Sequence, residues 1–514
     1  MNPRNNTSSI ANELDNPESS VDLTYYRWGI NIGGNNIDYA EDVWADGHFS
    51  YVVGTLDVNT SIPKLILTRC SNTGWYSGAQ DWNATWTKGD PIRGNAVWGT
   101  SNATYIYTAG TSPDELILIK WDINGTEIWN SSWNLAGNYG KIHAIWGIDD
   151  KIYMSGTYTD DLLLVSWNEE GVQLWNKTWG GSGWEEGFDV WGVDNEIFTS
   201  GSTSSYGAGL NDSVIVKWDN DGNQIWNQTW GDSGKEYFTS IFGIDSYFYV
   251  CGNVWNENDT SAAVVLKFDF NGTYLWEEWW DGPEDEVAYA IWANEYFVYL
   301  SASTNSWDPI SDKMVVVKWS YAGIYVDSSW PWWGDDRQYV PEGIFGWDYN
   351  IYVCGWHNVS QDTPDDYIQF LYNFYSYHGP VPPWFEPIEP NPSLNGTYTL
   401  EWQNLPEVES YRIYRDIHPI SDITGRTPYE IVTNTSIIET NMDEGTYFYV
   451  ITSILKGTES YTSNPRVVEV DLPDPEKKVP GYPVILIISM IGFTSLWVYK
   501  KNSSEGLNSE RILF

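Results

Sequence analysis

The chain has 514 residues, with 70 acidic against 26 basic side chains and a formal charge of -44. That length accommodates two or three domains, each with its own core, and the charge excludes nucleic acid as a partner, because such binding needs Lys and Arg to neutralise phosphates. Aromatic residues make up 17% of the chain, which excludes disorder as its main state, and only three cysteines, Cys70, Cys251 and Cys354, leave no disulfide framework and no zinc-ligand spacing.

Residues 1–21 are polar and acidic and are predicted to be disordered, with neither the basic nor the apolar part of a signal peptide. From 22 to 376 the chain repeats a unit of four short segments. The first ends in an aromatic: Trp44, Trp98, Trp146, Trp191, Phe242, Trp292 and Phe345. The second ends in a small-Gly pair such as Ser155-Gly156 or Cys251-Gly252, and the third is a β-branched and aliphatic run such as LILIKWD or VIVKWDN, read as a strand. The fourth is W-N-x-[ST]-W, clearest from Trp82, Trp129, Trp175 and Trp226. Residues four apart on a strand share a face, so both tryptophans of a motif are expected to pack on the same neighbouring blade. Turns such as Asp122-Ile-Asn-Gly125 and Asp219-Asn-Asp-Gly222 precede the fourth segment and supply positive φ.

A period of about 45 to 56 residues is that of four-stranded propeller blades. There are seven first, second and third segments but only six copies of the fourth after them, and Tyr25-Tyr26-Arg27-Trp28-Gly29 matches its end. The predicted fold is therefore all-β: a seven-bladed β-propeller over 22–376, closed by the N-terminal strand. On the small-Gly pair, the D-x-[DN]-G turn and the Trp-flanked outer strand, the chain resembles the SBBP-type β-propeller repeats of prokaryotic surface proteins, a resemblance that implies fold and leaves activity open.

A Pro-rich linker (377–390) leads into a second module, 384–471. Trp402, the run Tyr411-Arg-Ile-Tyr414 and Gly445-Thr-Tyr447-Phe-Tyr449 give it a resemblance to a fibronectin type III domain, which implies Trp402 as core tryptophan and Tyr447 at the tyrosine corner. A hinge (472–481) precedes 482–499, eighteen uncharged residues, long enough for one transmembrane helix, with Trp497 and Tyr499 at the interface and a tail, 500–514, opening on Lys500 and Lys501. The segment resembles the C-terminal anchors of archaeal surface proteins. The expectation is a single-pass cell-membrane protein with its large N-terminal part outside, its true start lying upstream; an inward-facing, tail-anchored protein is the alternative.

No catalytic motif stands out, so no catalytic residue is assigned, and the five histidines are read as ordinary surface or core residues. The loops after the second segment lengthen in later blades and share a pole with the loops that enter the first strands, which makes that pole the expected binding face. Asp38, Glu185, Glu236 and Glu286, each six residues before the aromatic, form a candidate acidic arc there. They are a possible Ca²⁺ site, solvated strand-entry acids being the plainer account. Trp255, Trp307 and Trp356 in those loops are candidates for stacking on sugar rings. Asn83, Asn130, Asn176 and Asn227, each in an N-x-[ST] sequon of the fourth segment, are glycosylation candidates. The expected function is a cell-surface binding or adhesion protein for a protein or glycan ligand. The alternatives are a carbohydrate-active enzyme on a propeller scaffold and a structural envelope component.

Overall fold

The computed structural model describes residues 25–472, apart from short segments that include 33–37, 73–78, 256–259, 307–311, 330–336 and 376–382, together with residues 497–500 and 508–511. Regular structure among the described residues is all β. Seven four-stranded antiparallel sheets follow one another, their inner strands being Tyr39–Ala45, Arg93–Gly99, Gly140–Ile148, Glu185–Val193, Lys235–Ile244, Glu286–Ala293 and Tyr339–Trp347. Each inner strand packs beside those of the blades before and after it, and the seventh packs beside the first. This ring is the arrangement of a seven-bladed β-propeller. In the seventh sheet the outermost strand is Tyr25–Ile32, paired antiparallel with Thr363–Tyr375 from Tyr25 opposite Tyr375 to Ile32 opposite Gln369. The two ends of the repeat region thus lock into one sheet, leaving no open edge between first and last blades.

The repeated residues explain why the blades stack. In four seams the aromatic that ends a first segment lies over the glycine that follows the same aromatic in the next blade: a Cβ on Gly99 would collide with Trp44, one on Gly147 with Trp98, one on Gly243 with Trp191 and one on Gly346 with Trp292. Trp44 and Phe345, 6.1 Å apart, carry the contact across the closure. Further out, the first tryptophan of W-N-x-[ST]-W covers the turn glycine of the next blade, Trp82 over Gly125, Trp129 over Gly171 and Trp175 over Gly222. Those turn glycines have φ of 76–79°, which a side chain would strain. The second tryptophan enters the core shared with the same next blade: Trp86 joins Ile92 and Val97, and Trp179 joins Val190 and Ile197. Both tryptophans of a motif therefore face one neighbour, as their spacing predicts.

A third interlock has no counterpart in the sequence reading. The lysine of the third strand is buried, and its ammonium donates to a carbonyl in the next blade's turn: Lys120 to Glu169 (3.3 Å), Lys217 to Phe270 (2.8 Å) and Lys267 to Tyr321 (2.9 Å). Each also lies over an aromatic ring of its own blade, Tyr105, Phe198 and Tyr247 respectively, a favourable place for a desolvated cation.

The second module has a two-stranded sheet (Tyr398–Glu401 with Ser436–Glu439) and a larger one built on Ser410–Asp416 and Gly445–Leu455. They share a core that includes Phe385, Trp402, Tyr411 and Val468. The expected transmembrane helix, 482–499, lies outside the described residues except at its end, where Trp497–Lys500 pairs as a short strand with Asn508–Arg511. Among the described residues no helix is long and apolar enough to cross a membrane.

Candidate functional site

Every inner strand slips register once against its neighbour, always three residues before the aromatic. The slip falls between Ala40 and Asp42, Gly94 and Ala96, Ile142 and Ala144, Gly187 and Asp189, Phe238 and Ser240, Ala288 and Ala290, and Pro341 and Gly343. A bulge leaves one residue unpaired and re-aims its side chain. The seven unpaired residues are Glu41, Asn95, His143, Phe188, Thr239, Tyr289 and Glu342, and with Lys141 they line one cavity of about 200 Å³ on the propeller axis. The small-Gly pair of the second segment makes this possible. A Cβ on Gly156 would overlap the carbonyl oxygen of Lys141 and one on Gly201 that of Glu186, and glycine stands at this place in every blade but the sixth, where Ala302 takes it.

The cavity is asymmetric. Blades seven and one contribute Glu342 and Glu41, side by side, whose acidities are both weakened by burial; the charge on Glu41 raises Glu342 further, whereas Lys141 and Arg93 draw Glu41 back. The Glu342 Oε1 accepts a bond from Trp356 Nε1 at 3.1 Å. Directly across the ring, blade four contributes Phe188, which meets His143 edge-on at 5.3 Å and leads to Tyr237 at 6.4 Å. His143 Nε2 lies 2.8 Å from Glu186 Oε1. Burial lowers the imidazole's pKa; it also opposes ionisation of Glu186, but the bond from His143 and the nearby Lys141 outweigh that and hold Glu186 below its ordinary value. The pair thus shares one hydrogen bond, with burial favouring the uncharged form of the imidazole.

Deeper in, Asp42 and Asp189 clamp neighbouring blades. Asp42 accepts from the Val43 and Val97 amides at 2.8 and 2.9 Å, and Asp189 accepts from Ser240 Oγ and the Ile241 amide at 2.6 and 2.8 Å. Burial pushes Asp42 up to about 7 and Asp189 to about 6, against the pull of these bonds. Below them the aromatic ring of Trp44, Trp98, Trp146, Phe242 and Phe345 forms a floor.

The acids expected to form an arc do not converge. Asp38, Glu185, Glu236 and Glu286 are each at most 2% exposed. Asp38 accepts the Asp57 amide at 3.0 Å. Glu185 accepts from the Gly181 and Ser205 amides and Thr203 Oγ1, and Glu286 from the Gly282 amide, Thr304 Oγ1 and Ser306 Oγ. For Asp38, Glu185 and Glu286 backbone and hydroxyl donors compensate for lost hydration, while burial and the nearby Asp232 and Asp212 carboxylates push Glu236 up to about 7; the four are neither solvated acids nor a shared site. Of the loop tryptophans, Trp356 bonds Glu342 and meets Tyr39 at 5.4 Å, while Trp255 meets Tyr237 edge-on at 5.3 Å, so the two stand behind opposite walls of the channel. Trp307 lies outside the described residues. Asn83, Asn130, Asn176 and Asn227 are exposed at one equivalent position on the outer strands of blades one to four, opposite Thr68, Ile119, Val165 and Val216. His143, read as an ordinary residue, lines the cavity.

The channel residues are absent from the sequence reading, although the repeat carries a signal for them. Three places before the aromatic stand Glu, Asn, His, Phe, Thr, Tyr and Glu, while the place directly before the aromatic holds Val or Ile in every blade.

No family model and no curated protein matches the chain. Among solved structures it is similar to the β-propeller domain of the Trilobed protease from Pyrococcus furiosus, at 10% identity and TM-score 0.41, covering 66% of this chain and 94% of that one. The Dos1 propeller is similar at 10% identity and TM-score 0.40, covering 88% and 99%. The polysaccharide lyase Uly1 is similar at 10% identity and TM-score 0.39, covering 71% and 95%. At these values the likenesses carry no argument about activity, and the propeller rests on the strand pairing described above.

Proposed function

We propose that this is a cell-surface binding protein whose axial channel takes the end of a glycan chain. The observation behind this reading is the split lining of the cavity, with the Glu41 and Glu342 carboxyls on one wall and Phe188, backed by Tyr237 and Trp255, on the other. Aromatic faces stack on sugar rings while paired carboxyls accept from sugar hydroxyls, and about 200 Å³ is room for one sugar unit rather than a drug-sized ligand. In this reading the second module is a fibronectin type III-like spacer. Supporting that, Tyr447 bonds the Asp443 carbonyl four residues upstream at 3.2 Å, the geometry of a tyrosine corner, and Trp402 is buried against Tyr411. The 482–499 segment anchors the chain in the membrane and the exposed rim asparagines carry N-linked glycans.

A second reading is favoured by one feature. Two adjacent buried carboxyls with weakened acidity are what a glycan hydrolase or lyase uses as a proton donor and base. Both readings are tested by titrating the full-length chain against a glycan panel by calorimetry and, in parallel, assaying for cleavage. The binding reading expects a hit that weakens about tenfold or more in both Phe188→Ala and Glu342→Gln, without product. Product formed by the parent chain and abolished in Glu342→Gln establishes the enzyme instead. A hit insensitive to both substitutions removes the channel from either reading.

A further inference from the structure

The aromatic floor sets the direction in which a bound chain leaves the channel. It lies at the deep end, whereas Lys141, the one lining residue outside the bulge column, lies toward the pole where the inner strands begin. A cavity of about 200 Å³ holds one sugar unit, so a longer glycan has to continue over that pole. The pole is not uniform. The place seven residues before the inner-strand aromatic holds Tyr139 in blade three and Trp184 in blade four, and no aromatic in the other five blades. Tyr139 is 52% and Trp184 37% exposed, and their rings meet at 5.7 Å.

We infer that Tyr139 and Trp184 form an outer subsite on which the second sugar stacks as the glycan leaves the channel, an inference that rests on the glycan reading and gives that glycan its path. Two lines of side chains join the pair to the channel in steps of two residues: Tyr139, Lys141 and His143 in blade three, and Trp184, Glu186 and Phe188 in blade four. Contacts between the lines tie them into one strip. Glu186 Oε1 lies 2.8 Å from His143 Nε2 in the channel wall, and Glu186 Oε2 lies 3.5 Å from Trp184 Nε1 on the pole. One carboxylate thus spans from channel to platform and offers acceptors to sugar hydroxyls beside the rings. The platform is also held by its backbone. The Trp184 amide donates to Ser204 Oγ at 2.6 Å, the Trp184 carbonyl accepts from the Ser204 amide at 2.9 Å, and the Tyr139 carbonyl accepts from the Thr159 amide at 2.8 Å. Exposed rings on an anchored backbone have little freedom left to lose on stacking, which favours binding.

The test titrates the full-length chain by calorimetry with the cello, xylo and chito series, each as the single sugar, the disaccharide and the trisaccharide. The expected result is a disaccharide that binds about tenfold or more tightly than the single sugar. Trp184→Ala and Tyr139→Ala should remove that gain while the single sugar binds as it does to the parent chain, which also shows that the variants are folded. Tyr274→Ala, at an exposed tyrosine on the outer strand of blade five, should leave the gain intact. Phe188→Ala should weaken single sugar and disaccharide alike. A gain that survives both Trp184→Ala and Tyr139→Ala, or no gain with length, overturns the outer subsite and leaves the channel reading standing. Binding that Phe188→Ala does not weaken, or no binding of any series to the parent chain, overturns the channel reading and the subsite with it.

Discussion

Two columns of the repeat, three residues apart on every inner strand, behave in opposite ways. The aromatic column is Trp or Phe in all seven blades, and its rings fill the seams between blades. The bulge column changes residue class from blade to blade, and its side chains meet in one cavity. Blade seams are chemically equivalent, so one residue solves all seven; a ligand is not seven-fold symmetric, so a column facing it loses its uniformity. In a repeat protein, sameness therefore marks packing, and departure from sameness marks a site.

The comparison breaks most severely at Gly156. A Val there would drive its Cβ into the Lys141 carbonyl and against Ile142 Cα, both backbone, so neither can swing away. Relief requires the inner strand to draw away or to lose its bulge, and without the bulge the strand beyond it would present the wrong face to both seams. Gly156→Val is expected to cost about 3 kcal/mol or more, or to prevent folding, as read from the urea midpoint.

A gentler probe addresses the channel wall. Glu342 has its folded-state pKa raised by burial and by Glu41, so folding takes up protons relative to the unfolded chain. Such a group costs nothing below the ordinary carboxylate range, and stability is lost as pH rises from there through the raised value. Gln keeps an oxygen for the Trp356 bond and cannot ionise. Glu342→Gln is therefore expected to match the parent chain near pH 4 and to exceed it by about 1–3 kcal/mol near pH 8. Measuring the difference between the two proteins removes the general effect of a -44 charge. A constant difference across that range would mean that Glu342 is not strained by its surroundings.

The strands, the seven blades and the N-terminal closure were legible because they rest on repeated packing residues whose spacing is preserved in the chain. The channel was not. Alternation along a strand assigns faces in steps of two, and a bulge shifts that phase by one residue exactly where Glu41 or His143 turns inward. The burial of Glu185 was equally hidden, since its partner Thr203 lies eighteen residues away and is matched to it only by register. Acidic side chains near strand entries read as surface residues because their donors, chiefly loop amides, leave no mark in the sequence.

The smallest expected effect measures what one donor is worth to a buried strand-entry carboxylate. Thr203→Val gives Glu185 the opposite neighbour that Glu236 has, and Asp161 stands beside Glu185 as Asp212 stands beside Glu236, since a Cβ on Gly180 would meet both carboxylates. Gly181, however, occupies the place of Asp232, and its amide still donates at 2.7 Å, with the Ser205 amide at 3.0 Å. Losing one hydroxyl bond to a buried carboxylate should cost about 1–2 kcal/mol, read from the urea midpoint. No loss would mean that the two amides alone satisfy Glu185. A loss in that range would mean that the register partner Thr203 holds the Glu185 carboxylate, as Val254 cannot do for Glu236.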